Sequence, residues 1–282
     1  MAEVIVSPGS VVAPALTWLN VNHHGVFAAI AGFFDFWVSG IAGLLNSFDP
    51  AIVIAVLSVG ALLIAGWRMG LLTLVGLAVC LGMGMWLATV QTIALVLLAV
   101  LLSMAFGIPL GIVISRNKRL QALARPVLDL MQTLPPWVYL VPAVILFGLG
   151  TVPALISTIV YGVAPMVRLT ILAMTQVPRE RIELGRAVGA TRFEMLRKIE
   201  LPSALPTLLV GVNQCILLSL AMVVLAGLVG AGGLGAEVTR GLTRLDFGLG
   251  LRASLAIVAL AIVMDRVFRG AIPTTYMPAK RT

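Results

Sequence analysis

Seven apolar runs, each near the length needed to cross a hydrocarbon layer, decide what this chain can be. They occupy residues 51–67, 69–88, 89–115, 133–148, 152–175, 205–229 and 251–268. A bilayer interior roughly 30 Å thick takes about 20 apolar residues per helix. Within it only helices or closed barrels satisfy their own backbone polar groups. The runs predict an all-α, polytopic transmembrane helical bundle of about seven membrane helices. With 60% hydrophobic and 11% charged residues, the chain is too poor in charge for an ordinary soluble domain. An earlier apolar stretch, 25–45, contains Asp35, many glycines and aromatics, and either crosses or lies in the interface. Residues 1–50 therefore read as an external or interfacial segment with a possible extra helix, 51–270 as the membrane domain and 271–282 as a cytoplasmic tail.

The formal charge of +8 does not signal nucleic acid, because the basic residues sit between apolar runs and not on one folded face. Anchoring to anionic membrane lipid fits that placement. If residues 51–67 run from outside to inside, 15 of the 19 basic residues fall in inner segments, including Arg116, Arg125, Arg186, Arg192, Lys280 and Arg281. Arg168 lies toward the inner end of its run, leaving Arg240, Arg244 and Arg252 outside. That asymmetry sets the orientation. The first 67 residues lack Lys and Arg, so the basic start of a secretory signal is missing and insertion is expected to use the membrane helices themselves.

Several motifs carry little. Cys80 and Cys215 lie in apolar runs and read as small buried hydrophobes. The adjacent His23 and His24 point in different directions on any regular element and make a poor metal pair. Gly230-Ala231-Gly232-Gly233-Leu234-Gly235 fits a dinucleotide-binding expression but follows a membrane run, so an external turn or re-entrant segment is expected. Gly107-x-x-x-Gly111 has the spacing of close helix approach, although glycine is abundant enough here to produce it by chance. No nucleophile–base pair, metal set or P-loop occurs. The chain is expected to hold no cofactor, metal or catalytic residue.

Residues 178–200 gather ten charged side chains and cannot lie in lipid. Pro178 suits a first helical position and Gly189 a left-handed helix end. Thr191 and Glu194 have capping-box spacing, predicting a second helix from about Arg192 that stops before Pro202. Ile182, Gly185 and Val188 form a less polar strip on the first helix, and Phe193, Leu196 and Ile199 recur on the second. The pair makes either a knob that enters a groove on another protein or an amphipathic pair lying on headgroups.

The run Glu183-Leu184-Gly185, Gly189 and Ile199-Glu200-Leu201-Pro202 resembles the EAA motif of binding-protein-dependent ABC importer permeases, with Leu184 and Gly185 in place of two alanines. The resemblance extends over roughly residues 50–270. Met131 to Tyr139, Gly211 to Gln214 and Gly230 to Gly235 are similar to permeases of glycine betaine/proline betaine importers, whose relatives carry choline or trimethylamine N-oxide. It implies a type I importer permease fold in a bacterial inner membrane, with the loop 178–202 as the coupling element. Glu183, Arg186, Gly189, Ala190, Thr191, Leu201 and Pro202 then meet a cytoplasmic ATPase. It further implies a permease homodimer, two ATPase subunits that carry ATP and Mg, and a periplasmic or extracellular binding protein. The external segment with Glu237, Arg240, Arg244 and Asp246 is the candidate contact for the last.

Prolines cluster at Pro135, Pro136 and Pro142 and again at Pro153 and Pro165, freeing carbonyls that packing or a water-filled pathway must satisfy. The polar pathway candidates are Gln132, Thr133, Asn213 and Gln214, with Ser219; each serves equally as an interhelical hydrogen bond. Trp137 and Tyr139 offer π faces to a quaternary ammonium ion or act as packing and interface residues. A stand-alone ion-coupled transporter or channel is the alternative, but apart from Asp35 the runs hold no central ionisable residue, Asp129 and Asp265 lying near ends.

Overall fold

A computed structural model of the chain describes residues 9–270, with side chains from residue 13. Residues 1–8 and the expected tail 271–282, with Lys280 and Arg281, lie outside the described residues. Every regular element among the described residues is helical. They are α1 (Gly9–Asn46), α2 (Pro50–Ala65), α3 (Trp67–Gly82), α4 (Trp86–Ser115), α5 (Lys118–Thr133), α6 (Trp137–Phe147), α7 (Thr151–Thr175), α8 (Arg179–Ala187), α9 (Arg192–Glu194), α10 (Leu201–Ala226), α11 (Gly233–Thr243) and α12 (Phe247–Gly270). Five helical spans are long and apolar enough to cross a membrane: 13–46, 86–115, 151–175, 192–229 and 247–270. The bent pair α5–α6 makes a sixth if counted as one span.

Several expected boundaries move. The stretch 25–45 belongs to a longer helix, α1, which starts at Gly9 and departs from helical geometry at His23. Residues 86–88 open α4 and do not close the preceding run, because Gly84 at φ 71° ends the α3 segment early. The helices α2 and α3 have 16 residues each, about 24 Å of rise. They fold back on one another at Gly66.

The apolar run 133–148 does not form a membrane helix by itself. Residues 118–133 form an amphipathic helix, α5, and the chain turns by 89° before α6. Pro135 forces Leu134 out of helical geometry, to ψ 135°, and neither Pro135 nor Pro136 supplies an N–H to carry a helix through. With 11 residues, α6 rises only about 16 Å and cannot span alone.

Three spans form the core. Val96 and Val100 of α4, Ala154 and Met166 of α7, and Val212, Cys215 and Ile216 of α10 share one apolar cluster, extended by Leu77 of α3 and Ala256 of α12. Between α4 and α7 the backbones come close: a Cβ on Gly107 would meet Met166, and one on Gly111 would stand 2.5 Å from that of Thr170. The Gly107-x-x-x-Gly111 spacing is therefore a helix contact. Both cysteines are buried and free, as expected of small apolar side chains. Helix α1 lies on the outside, seating Val38 against Leu155 and Ala94.

Candidate functional site

The polar segment folds into a compact knob fixed by local hydrogen bonds. Pro178 stands one residue before α8, with ψ 133°, and so caps the helix where the sequence placed it inside the first turn. Its carbonyl accepts from the Arg181 and Ile182 N–H groups at 3.1 and 3.4 Å. At the other end Ala190 N–H donates to the Gly185 carbonyl at 2.9 Å and Gly189 N–H to that of Arg186 at 3.0 Å. This is a Schellman pair, and it requires the left-handed φ of 74° that Gly189 adopts.

The next helix begins with the expected capping box. Glu194 N–H donates to Thr191 Oγ1 at 3.3 Å, and Thr191 N–H donates back to the Glu194 carboxylate at 3.1 Å. Lys198 Nζ adds a third bond at 2.9 Å. The Lys198 bond, followed by those from Thr191, pulls the Glu194 carboxyl down to about 2 from an ordinary 4.5.

This second helix does not stop before Pro202. It passes through a π-helical turn, Met195–Glu200, straight into α10, where Leu201 N–H donates to the Leu196 carbonyl. Pro202 follows directly on that turn, whose i→i−5 spacing accommodates a residue with no N–H to donate, so the proline is absorbed without ending the helix. Leu201 and Pro202 are half-buried there. The knob is therefore continuous with a core span.

The expected apolar strip is only partly right. Gly185 is buried against Met195 and Ile199 and Ile182 is half-buried, but Val188 is 73% exposed. Leu184 at 66% and Phe193 at 69% are also exposed. The knob thus presents Leu184, Val188 and Phe193, with Glu183 and Arg186, to its surroundings. Behind it lies a crevice of about 690 Å³ lined by Arg116, Arg186, Arg192 and Glu200 among others.

The link from knob to bundle is a pair that sequence reasoning did not assign. Glu200 is buried, at 4% exposure, and both its oxygens meet the Arg116 guanidinium at the end of α4. A carboxylate entering an apolar helix needs a cation, which was the available signal. Its partner, 84 positions away, was not readable. Arg181 Nη1 makes a second tie to Ser203 Oγ at 2.8 Å.

The polar pathway candidates separate. Gln132 and Gln214 come together with Tyr161, Pro165, Leu217 and Leu218 around a depression of about 350 Å³. Asn213 turns the other way, 8% exposed, with its Oδ1 buried and unpartnered. Ser219 is buried as well. Thr133 donates to the Leu130 carbonyl at 3.0 Å, and Trp137 opens α6 with its ring partly exposed; neither lines the depression. Arg168 Nη1 bonds Asp129 at 2.9 Å and Gln132 Oε1 at 2.8 Å. Tyr139 packs on Tyr161, ring centres 5.7 Å apart.

At the opposite end, α11 and α12 form a tight hairpin. Glu237 and Arg240 pair at 2.7 Å, and Asp246 accepts from Leu249 N–H at 2.9 Å, so these candidates partly serve local structure. Arg244 is exposed. Leu245, 89% exposed at φ 55°, stands at the tip beside the exposed Leu242 and Phe247.

Residues 103–273 match the family described as binding-protein-dependent transport system inner membrane component. The chain belongs to that family. Over 265 residues, 94% of the chain and 75% of the relative, it is 41% identical to the glycine betaine/proline betaine transport system permease protein ProW of Escherichia coli. It is 39% identical over 254 residues, 89% of each, to the glycine betaine transport system permease protein OpuAB of Bacillus subtilis. A solved structure of the MetNI methionine ABC transporter, in inward-facing conformation, superposes with a TM-score of 0.57 at 23% identity, covering 66% of this chain and 95% of that one. As a binding-protein-dependent inner membrane component it is a multi-pass protein with the type I ABC importer permease fold. The knob between α7 and α10 lies within the matched region.

Proposed function

We propose that the chain is the translocation subunit of an ATP-driven importer for small methylated-amine osmolytes: glycine betaine, proline betaine, choline or trimethylamine N-oxide. ATP hydrolysis belongs to a separate cytoplasmic subunit, with ATP and Mg on that partner. Two copies of the chain form the pathway, and two ATPase subunits each receive one knob. The observation that carries the coupling role is the continuity of the knob with α10 and its ion pair to α4, because a lever must be rigid to transmit motion. Glu183, Arg186 and the exposed Leu184, Val188 and Phe193 supply the docking surface. Gly189, Ala190 and Thr191 hold its shape, and Leu201 and Pro202 join it to the span. The substrate class rests on the relatives. Family membership and their names speak against a stand-alone ion-coupled transporter.

On the external side an extracellular or periplasmic binding protein meets the α11–α12 hairpin, through Glu237, Arg240, Arg244 and Asp246. The exposed Leu242, Leu245 and Phe247 favour that reading, since they supply an apolar centre inside a charged rim. Substrate-stimulated ATP hydrolysis by the reconstituted complex tests the coupling role with Glu183→Ala and Gly189→Pro. Both variants are expected to lose stimulation. Wild-type coupling in both would end the docking assignment.

A further inference from the structure

The depression at Gln132, Tyr161 and Gln214 combines features that a lipid-facing surface does not have. It lies part-way along the spans: Tyr161 is ten residues into α7, about 15 Å by helical rise, and Gln214 is thirteen residues into α10, about 20 Å. Two carboxamides exposed at that depth are costly against hydrocarbon. The Gln214 side chain makes no hydrogen bond to protein among the described residues. On α10 it sits between Val210 and Leu217 on an otherwise apolar outward face. Tyr161 is half-buried and ringed on one side by Tyr139, whose hydroxyl donates to the Met131 carbonyl at 2.5 Å. That bond ties the aromatic pair to α5, so the ring of Tyr161 is held in place.

The charges around the depression are asymmetric. Its lining holds no acidic side chain. Seven residues beyond Tyr161 on α7, two helical turns along the same face, stands Arg168, held by Asp129 and Gln132. A cation entering the depression therefore meets an aromatic face and the unengaged Gln214 amide, the Gln132 oxygen being held by Arg168, with no carboxylate in the lining to trap it. A negative group on the same molecule would point along α7 toward a guanidinium.

We infer that this depression is a transit subsite for a small zwitterion, with Tyr161 receiving its methylated ammonium group and Gln132 and Gln214 replacing its water. The inference rests on the substrate class proposed above and adds the residues that meet the substrate. Attraction of this kind is weak, and passage requires weak binding. The effect belongs on the rate of uptake, because capture from dilute solution falls to the external binding protein.

The test is uptake of labelled glycine betaine into proteoliposomes holding the complete complex, measured alongside ATP hydrolysis, for wild type, Tyr161→Phe and Tyr161→Leu. The Phe variant keeps the π face and is expected to stay within about threefold of wild type. The Leu variant is expected to lose roughly tenfold in maximal uptake, the order a cation–π contact commands, with KM little changed and hydrolysis continuing. Wild-type uptake by the Leu variant, or equal loss in both variants, would overturn the subsite. Separation of the Leu variant into single copies, read by mass photometry, would overturn it too, assigning the depression to the contact between copies. If the wild-type complex itself imports no methylated amine, the substrate reading fails first, and this ligand assignment with it.

Discussion

Arg116 and Glu200 join the end of α4 to the π-helical turn that carries the knob, with Arg116 Nη1 donating to Glu200 Oε1 at 2.8 Å and Nη2 to the other oxygen. Glu200 is buried while Arg116 keeps about half its side chain in solvent. Removing the cation strands a buried carboxylate, whereas removing both charges does not. Arg116→Ala is expected to lower stability by roughly 1–3 kcal/mol, discounted for the exposure of the guanidinium. It should also uncouple hydrolysis from uptake. The double variant Arg116→Met with Glu200→Gln is expected to recover most of the stability but not the coupling, as read from thermal unfolding and transport per ATP.

The exposed apolar tips of the knob separate docking from folding. Leu184, Val188 and Phe193 contact little within the chain, so Phe193→Ser is expected to leave unfolding unchanged. If the ATPase seats this surface in a groove, truncating one apolar anchor costs about 1–2 kcal/mol of binding, a loss of roughly fivefold to thirtyfold. Titration of the purified ATPase against the permease in nanodiscs measures it. Unchanged affinity in Phe193→Ser and Leu184→Ser together would remove these residues from the interface.

The capping box predicts a pH response with a definite sign. The Glu194 carboxyl is held down to about 2 from 4.5, so the cap is fully present above the ordinary value and is lost as pH falls through about 2. A carbon-13 label on the Glu194 carboxyl should therefore show no titration near 4.5. In Thr191→Ala with Lys198→Ala the midpoint is expected to return toward the ordinary value. Thr191→Ala alone should cost about 1 kcal/mol of local helix stability.

Two glycines on buried surfaces should respond differently to the same methyl group. A Cβ on Gly235 would drive into the Val223 carbonyl of α10, which is backbone and cannot rotate away. A Cβ on Gly185 meets the flexible ends of Ile199 and Met195. Gly235→Ala is expected to exceed the roughly 1–3 kcal/mol of ordinary overpacking and to reduce folded yield. Gly185→Ala should fall within about 1 kcal/mol, since the added helix propensity offsets the shift. Size-exclusion profiles and unfolding midpoints distinguish the two.

The knob was legible because its bonds are local: Gly189 to Arg186, Ala190 to Gly185, and Thr191 to Glu194 all close within five residues. The errors there have the same origin. Pro202 read alone is a helix breaker, but the π-helical turn before it widens the backbone spacing and carries the helix past the missing N–H. Val188 lies at the right spacing for the inner strip, yet it stands at the helix cap, where the chain turns away. The amphipathic α5 was signalled by Ala124, Leu128 and Met131 at helical spacing, which pack toward Val163 and Val167 of α7. Its charges concealed it among the loop residues.

The sequence by itself determined the membrane-spanning helical class, the knob and the position of its turn, because hydrophobic run length and capping depend on neighbours along the chain. Only the tertiary structure decided that α5 and α6 meet at 89°, that Arg116 answers Glu200, and that Gln132 and Gln214 share a depression with Tyr161 while Asn213 does not. Those facts depend on how each helix is rotated against the others. That rotation is set by close packing of the α4, α7 and α10 faces, a long-range balance that no local pattern encodes.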